Sequence, residues 1–263
     1  MITSALPPDA RPALVLLHSS MSSRAQWADL IAQQETRFRC IAVDLLGYGK
    51  SPFPAVDGPY TLGHEVDAIN AAVAARLAPG EPFHLVGHSY GGATALRLAR
   101  QMPQRVLSLT VFEPVAFHLL PPADTARREI EAVVAAIERA ASPHDATRVF
   151  IDYWNREGVF DSLPAPQQQR FTAQIAKVRL DFEALLGEPA TLADLGGLVM
   201  PALVMSGAAS PPSTRRLAAE LAAALPNAAA AQTKGGHMAP LTHAAIVNEM
   251  IANFLIGAEA VDA

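Results

Sequence analysis

Short apolar runs alternate with longer segments of helical periodicity along most of the chain. Each apolar run is bounded by polar or glycine-containing segments, a pattern typical of parallel strands that are buried on both faces. Such runs occur at residues 13–17, 40–43, 84–86, 106–112 and 201–207, with a weaker one at 229–232. Helical patterns separate or follow them at residues 26–38, 63–77, 213–225 and 244–256, and in a segment that ends near Met102. This alternation predicts an α/β fold with a doubly wound, mostly parallel sheet, in which ligands bind at the carboxyl ends of the strands.

The alternation stops between residues 115 and 189, where only helical patterns occur. These patterns cover residues 124–141, 145–156, 166–178 and 181–186, and no β-branched run interrupts them. A long helical segment between two strands is best explained as an insertion at the strand ends. We therefore expect residues 1–114 and 190–263 to form the core and residues 115–189 to form a helical cap.

The segment Gly87-His88-Ser89-Tyr90-Gly91 stands where an apolar strand pattern gives way to a helical one. It fits the G-x-S-x-G pattern, in which a serine occupies a strained turn between strand and helix. Glycines two residues before and after the serine allow the strand and the helix to pass close to it. The helix would direct its free N–H groups and the positive end of its dipole toward an oxyanion formed beside Ser89. The pattern favours a nucleophilic serine, and the alternative is a glycine-rich turn in which this serine has no chemical role.

Composition and charge narrow the classes of function. The chain has 263 residues, which suits one α/β domain with an insertion, and its net charge of -5, with no run of Lys and Arg, argues against nucleic-acid binding. The single cysteine, Cys40, cannot form an intrachain disulfide, so a reducing compartment is favoured. Residues 1–11 lack the features of a signal peptide, and no stretch has the roughly eighteen apolar residues of a membrane span. We expect a cytoplasmic protein with no membrane partner.

Four motifs together resemble the α/β-hydrolase family. Besides the segment around Ser89, they are Leu16-Leu17-His18, Asp44-Leu45-Leu46-Gly47-Tyr48-Gly49-Lys50-Ser51 and Gly236-His237-Met238-Ala239-Pro240. The resemblance covers nearly the whole chain and implies a core of the α/β-hydrolase type, in which serine, acid and histidine follow one another along the chain. It does not identify a substrate, because the fold hosts esterases, lactonases, carbon-carbon bond hydrolases, perhydrolases and a few non-catalytic receptors. A serine at the turn disfavours the dehalogenase and epoxide hydrolase branches, which carry an aspartate there.

The resemblance also implies roles for individual residues. Ser89 is the match for the nucleophile, and His237, in a glycine-flanked loop after the last strand, is the match for the base. The usual oxyanion donors are two backbone N–H groups, the first of which is that of Tyr90. Because Ser19 stands where a glycine normally follows the histidine of the first loop, the second donor is assigned to Ser20, with Met21 as the alternative.

The acid that should orient the histidine is missing from its usual place. The loop after the fifth predicted strand reads Gly207-Ala208-Ala209-Ser210-Pro211-Pro212 and contains no carboxylate. Glu113 ends the strand after the Ser89 unit, in apolar surroundings where a carboxylate needs a partner. Some members of the family similarly carry their acid at this strand end. We assign the acid to Glu113, with Ser210 and Asp44 as alternatives for orienting the histidine and a surface or helix-capping role as the alternative for Glu113.

Together these residues predict a serine hydrolase that cleaves a small, mostly apolar carboxylic ester or lactone by acyl transfer. A carbon-carbon bond hydrolase or perhydrolase with the same triad is an alternative among enzymes, and a non-catalytic ligand-binding protein is an alternative from another class. Residues of the motifs and the cap are expected to contact the substrate: His18, Met21, Phe117, Trp154 and Met238. No cofactor is implied, and no metal, since no pair of histidines stands with carboxylates at metal-ligand spacing. The expected partner is a small-molecule substrate, and the expected state is a monomer or homodimer.

Overall fold

A computed structural model describes residues 10–259 of the chain. The two ends of the predicted core, residues 1–9 and 260–263, lie outside the described residues. So does most of the N-terminal segment that is expected to lack a signal peptide.

Six strands within the described residues form a single sheet. They are β1 (Ala13–Leu17), β2 (Arg39–Val43), β3 (Phe83–His88), β4 (Val106–Phe112), β5 (Ala202–Gly207) and β6 (Ala228–Thr233). Their order across the sheet is β2-β1-β3-β4-β5-β6, and every neighbouring pair runs parallel. The predicted α/β fold with a parallel sheet is therefore confirmed.

Helices connect the strands and cover both faces of the sheet. They are α1 (Ala28–Gln34), α2 (Leu62–Ala74), α3 (Tyr90–Gln101), α4 (Thr125–Arg139), α5 (Pro143–Trp154), α6 (Val159–Ser162), α7 (Ala165–Thr172), α8 (Ile175–Leu186), α9 (Pro212–Ala224), α10 (Ala239–Thr242) and α11 (Ala244–Glu259). Short 3-10 turns occupy Arg24–Trp27, Pro103–Arg105, Phe117–Leu119 and Leu192–Gly197. Among residues 10–259, no helix is long and apolar enough to cross a membrane.

The pleat of β1 shows why two separate layers of helices are needed. Its side chains are all buried, and successive side chains point to opposite faces of the sheet. Leu14 and Leu16 belong to a hydrophobic cluster with residues of α1 and α11, whereas Val15 belongs to a second cluster with residues of α2, α3 and α9. An unbroken apolar run is therefore a strand with helices on both faces, as the sequence predicts.

The chain between β4 and β5 forms five helices, α4 to α8, and two 3-10 turns. Apolar residues of these helices, among them Ile130, Phe150 and Phe182, join the same hydrophobic cluster as α2 and α3. These five helices therefore pack together with α2 and α3, on the same side of the sheet. We use the name cap for residues 115–189, and their division from the core at these boundaries stays a prediction.

The register of the sheet brings several strand ends to one edge. His88, the last residue of β3, is paired with Phe112, the last residue of β4, so the residues that follow both strands are neighbours. At the other side of β4, β5 and β6 end together, with Gly207 paired with Thr233. Because these strands are parallel, the loops that follow them converge on the carboxyl edge of the sheet.

Candidate active site

Ser89 lies in a strained turn between β3 and α3. Its backbone has φ 55° and ψ -120°, outside the regions that residues other than glycine usually adopt. The two flanking glycines explain how the chain can turn here: a Cβ on Gly87 would lie 2.7 Å from the Cα of Gly92, and one on Gly91 would lie 2.6 Å from the carbonyl oxygen of Leu17. Only glycine fits at these two positions, because any larger residue would collide with backbone.

His237 lies in the loop between β6 and α10, with its imidazole over Ser89. Its Nε2 is 2.9 Å from the Ser89 Oγ, and both side chains are almost fully buried. The loop is fixed by His88, whose Nε2 donates to the backbone carbonyl of His237 over 2.9 Å. Burial keeps the pKa of His88 well below its ordinary value, so this ring stays neutral and donates from Nε2.

Glu113 completes a continuous line of hydrogen bonds. Its Oε2 is 2.7 Å from the Nδ1 of His237, and its Oε1 accepts the backbone N–H of Gly207 over 2.7 Å. The residue directly follows β4, and its backbone nitrogen donates to the carbonyl of Met205 in β5. The side chain therefore extends past the end of β5 to His237. It lies beside the start of the loop at residues 207–212, which contains no carboxylate.

The two alternatives for the orienting group lie elsewhere. The Oγ of Ser210 is buried and has no hydrogen-bond partner among the described residues. Asp44 closes the loop after β2, since its two oxygens accept the backbone N–H groups of Arg24 and Lys50 at 2.7 and 3.0 Å. Of the three residues weighed from the sequence, the structure brings only Glu113 to His237.

The two predicted oxyanion donors belong to different segments near Ser89. Tyr90 is the first residue of α3, and backbone N–H groups in the first turn of a helix have no partner within it. Ser20 lies in the loop after β1, which packs against Gly91 of the serine turn. Met21 lies in the same loop and also lines the cavity, so the choice between Ser20 and Met21 as the second donor stays a prediction.

A cavity of about 770 Å³ opens over Ser89 and His237. One side is formed by the polar loop after β1, and the other by cap side chains, among which are the aromatic residues Phe150, Trp154 and Phe171. Three of the five residues expected to contact substrate line this cavity: Met21, Trp154 and Met238. The cavity combines an apolar wall with a polar floor beside the serine.

The other two residues expected to contact substrate do not reach the cavity. His18 is fully buried beneath it, where its Nε2 accepts the N–H of Leu45 over 3.0 Å and its Nδ1 is 2.7 Å from the carbonyl of Ser19. Burial lowers the pKa of His18 to about 4, so the ring is neutral. Phe117 lies in a 3-10 turn within the hydrophobic core. Both side chains pack beneath the cavity and are absent from its lining, and their contact with substrate stays a prediction.

Trp154 contributes more than an apolar wall. Its ring stacks on that of His237, with 4.2 Å between the ring centroids and an angle of 29° between the planes. Trp154 is the last residue of α5, so the cap contacts the imidazole directly. The sequence does not reveal this contact, because the two residues are far apart in the chain and an aromatic residue at helical spacing is typical of an ordinary packed core.

A buried group of charged residues next to the site is absent from the sequence-based expectations. Lys177 and Asp181, both on α8, contact each other and are buried together with Glu65 of α2. Although burial alone would lower it, Asp181 and Glu65 raise the pKa of Lys177, so the amine is charged. Its pattern in the sequence, a lysine four residues before an aspartate, is that of an ordinary surface ion pair.

The arrangement of Ser89, His237 and Glu113 has the geometry required for acyl transfer: a hydroxyl in contact with a base, and the base in contact with a carboxylate. Among residues 10–259, no group of three or more His, Cys, Asp or Glu side chains could hold a metal ion.

The sequence profile of the alpha/beta hydrolase family matches residues 14–250. An alignment of 129 positions, which covers 46% of this chain, shows 36% identity to the protein named "Probable lysophospholipase BODYGUARD 2" of Arabidopsis thaliana. The alignment covers 27% of the plant protein, so the chain spans about a quarter of the length of this curated relative.

Two solved structures superpose on nearly the whole chain. The enol-lactonase from Burkholderia xenovorans LB400 has a TM-score of 0.75 and 21% identity, over 96% of this chain and 94% of that one. The carboxylesterase CesB from Bacillus subtilis has a TM-score of 0.72 and 24% identity, over 95% of this chain and 85% of that one. At these identities the likeness shows a shared fold.

Proposed function

This chain belongs to the alpha/beta hydrolase family, and we propose that it is a serine hydrolase that cleaves a small, mostly apolar carboxylic ester or lactone. One observation carries the proposal: Ser89, His237 and Glu113 form one hydrogen-bonded line, with contacts of 2.9 and 2.7 Å, at the base of a cavity. A serine needs such a base to become nucleophilic at neutral pH.

In the proposed reaction, Ser89 Oγ attacks the substrate carbonyl while its proton passes to His237 Nε2. The Glu113 carboxylate, bound to the opposite ring nitrogen, stabilises the imidazolium that forms. The N–H groups of Tyr90 and Ser20 bind the oxyanion of the tetrahedral intermediate. His237 then returns the proton to the leaving oxygen. Water next attacks the acyl carbon while His237 accepts its proton, the bond to Ser89 Oγ breaks to release the carboxylic acid, and His237 returns the proton to Ser89 Oγ.

The proposed substrate class rests on the lining of the cavity. Its cap side is apolar and aromatic, with Phe150, Ile151, Trp154 and Phe171, which suits an uncharged acyl or alkyl group. The only charged residues at the cavity are Asp29 and Arg170 among the described residues, and both are exposed to solvent. The two structural neighbours, a carboxylesterase and an enol-lactonase, support ester and lactone chemistry by analogy.

The experiment is a steady-state assay of p-nitrophenyl esters of increasing acyl length, together with a simple lactone, comparing the wild type with Ser89→Ala. We expect turnover by the wild type and a loss of at least about 10³-fold in kcat for Ser89→Ala. Ser162→Ala, which changes an exposed serine of the cap, is the matched control and should retain wild-type kcat.

Two results would contradict the proposal. Turnover that survives Ser89→Ala would exclude this serine as the nucleophile. A folded wild type that hydrolyses none of the esters or the lactone would favour a non-catalytic ligand-binding protein.

A further inference from the structure

Helix α8 of the cap contains two charged residues, Lys177 and Asp181, that are buried next to the candidate active site. Lys177 and Asp181 lie one turn apart on α8, and the Lys177 amine donates to Glu65 Oε1 over 2.9 Å as well as contacting Asp181. The three side chains are only 1%, 2% and 0% exposed, in the order Lys177, Asp181 and Glu65. A buried ion pair contributes little net stability, because desolvation opposes the attraction of the charges. Stability alone therefore does not account for this cluster.

Each carboxylate of the cluster binds the side chain of one proposed oxyanion donor. Ser20 Oγ donates to Asp181 Oδ2 over 2.6 Å. The hydroxyl of Tyr90 donates to Glu65 Oε1 over 3.2 Å. The backbone N–H groups of these same two residues are the ones that would bind the oxyanion. Lys177 links the two carboxylates, so it connects both donors through side chains.

The cluster has few ways to rearrange, because further groups occupy its remaining hydrogen-bonding positions. Tyr48 donates to Asp181 over 2.6 Å, Tyr60 donates to Glu65 over 2.7 Å, and the N–H of Leu46 donates to the other oxygen of Glu65 over 3.0 Å. The amine of Lys177 also lies 4.8–5.0 Å from the ring centroids of Tyr48, Tyr60 and Tyr90. A network satisfied in this way fixes positions more than it adds stability.

We propose that Lys177, Asp181 and Glu65 are positioning residues that set the relative placement of the Ser20 and Tyr90 N–H groups. The inference rests on the proposed serine hydrolase function. Oxyanion donors act on the transition state and require accurate placement, so a shift of about 1 Å is enough to cost up to about 10²-fold in rate.

The test measures kcat and KM separately for Ser20→Ala, Asp181→Ala and Lys177→Met with a p-nitrophenyl ester. Misplaced donors weaken transition-state binding and leave substrate binding nearly unchanged. We expect kcat to fall about 10- to 100-fold, with KM changed by less than about threefold. Asp181→Asn keeps a hydrogen-bond acceptor for Ser20 and should recover part of the kcat lost in Asp181→Ala.

The matched control is Leu185→Ala, which removes a buried side chain from the same helix outside the cluster. It should lower Tm, as the cluster variants do, but retain wild-type kcat per folded molecule. Cluster variants that match Leu185→Ala in both Tm and kcat would reduce the cluster to a structural role and overturn the proposal.

A double-mutant cycle keeps the proposal testable if Lys177→Met does not fold. Ser20 is only partly buried, and Ser20→Ala with Asp181→Ala should lower kcat by no more than the stronger single variant, because both changes break the same Ser20–Asp181 contact. Losses that multiply would contradict the proposed coupling. If Ser89→Ala retains turnover, the hydrolase function itself fails; if only the cluster variants retain wild-type kcat, the positioning role alone fails.

Discussion

Glu113 differs from an ordinary glutamate at a strand end in its backbone and in its surroundings. Its φ of 41° lies in the left-handed region that favours glycine, and its side chain is almost completely buried. Backbone conformations of this kind cost about 1–3 kcal/mol and cluster at functional sites. Both carboxylate oxygens are engaged, one by the N–H of Gly207 and the other by His237. A change in the charge of this group would therefore act directly on the histidine.

We predict that Glu113→Gln lowers kcat by up to about 10⁴-fold while the protein stays folded, because the amide keeps the shape and loses the charge that stabilises the imidazolium. Ester hydrolysis measured beside circular dichroism provides the check. Ser210→Ala is the control, and it should leave kcat close to that of the wild type. If Glu113→Gln were nearly silent and Ser210→Ala impaired, the orienting role would pass to Ser210.

The residues of the site differ in how far the sequence could predict them. Ser89 and His237 stand in motifs whose spacing is visible, and Glu113 could be inferred because the expected loop contains no carboxylate. Lys177 and Glu65 could not be paired, since they lie 112 positions apart and each has a common interpretation on a helix surface. Burial and long-range contact, which decide their role, leave no local pattern.

At the scale of elements, the turn from β3 into α3 requires glycine for a reason that can be measured. A Cβ on Gly91 would lie 2.6 Å from the carbonyl oxygen of Leu17 in β1, so the helix could not approach the sheet as closely. Gly257 in α11 is a helical glycine whose Cβ would meet nothing within 4 Å. These two residues form a natural pair for comparison.

Gly91→Ala is expected to lower the free energy of unfolding by about 1–3 kcal/mol, since a well-packed site resists added volume, and to reduce ester turnover. Gly257→Ala is expected to raise the free energy of unfolding by about 0.5–1 kcal/mol through the higher helix propensity of alanine, with no effect on turnover. Urea unfolding gives both values. A Gly91→Ala protein as stable and active as the wild type would contradict the packing described for the turn.

The strands were predictable from the sequence, and the cap helices only in part. Continuous apolar runs indicate buried parallel strands, and all six predicted strands occur. In the cap, the patterns at residues 166–178 and 181–186 predict a break near residue 180, whereas α7 ends at Thr172 and α8 runs without interruption to Leu186. No glycine or proline marks this boundary, which is decided by the packing of α8 residues such as Val178 and Phe182 in the core.

At the scale of the whole molecule, two histidines couple stability to pH: His18, which is fully buried, and His118, which is partly buried. Burial lowers the pKa of His18 to about 4, and burial together with the nearby Arg100 lowers that of His118 to about 4. The unfolded chain binds protons to these rings below pH about 6.5, while the folded protein does not. The free energy of unfolding therefore falls as the pH is lowered from about 6.5 toward 4.

We predict that His118→Gln reduces this acid-induced loss. Between pH 7 and pH 5 the free energy of unfolding of the variant should fall by about 1–2 kcal/mol less than that of the wild type, at about 1.4 kcal/mol per pH unit for one histidine. Urea unfolding at the two pH values measures the difference, and the contributions of the other titrating groups cancel in the comparison. Equal losses in the two proteins would show that His118 titrates normally in the folded state.

The whole fold was predictable because many independent strand and helix patterns agree, and the substrate was not. The α/β-hydrolase fold supports many reactions, so identity of fold leaves the substrate open. The substrate depends on the cavity, where the cap aromatics Phe150, Trp154 and Phe171 meet the loop after β1. These residues are far apart in sequence, and their meeting is a property of the folded molecule.

The nucleophilic character of Ser89 is the central claim, and covalent labelling by a fluorophosphonate tests it most directly. The serine oxygen displaces fluoride and forms a phosphonyl ester, which intact mass and peptide mapping can locate. We predict a single adduct on Ser89, formed much more slowly in His237→Ala and Glu113→Gln and absent from Ser89→Ala. An adduct that forms in Ser89→Ala at the wild-type rate would contradict the account.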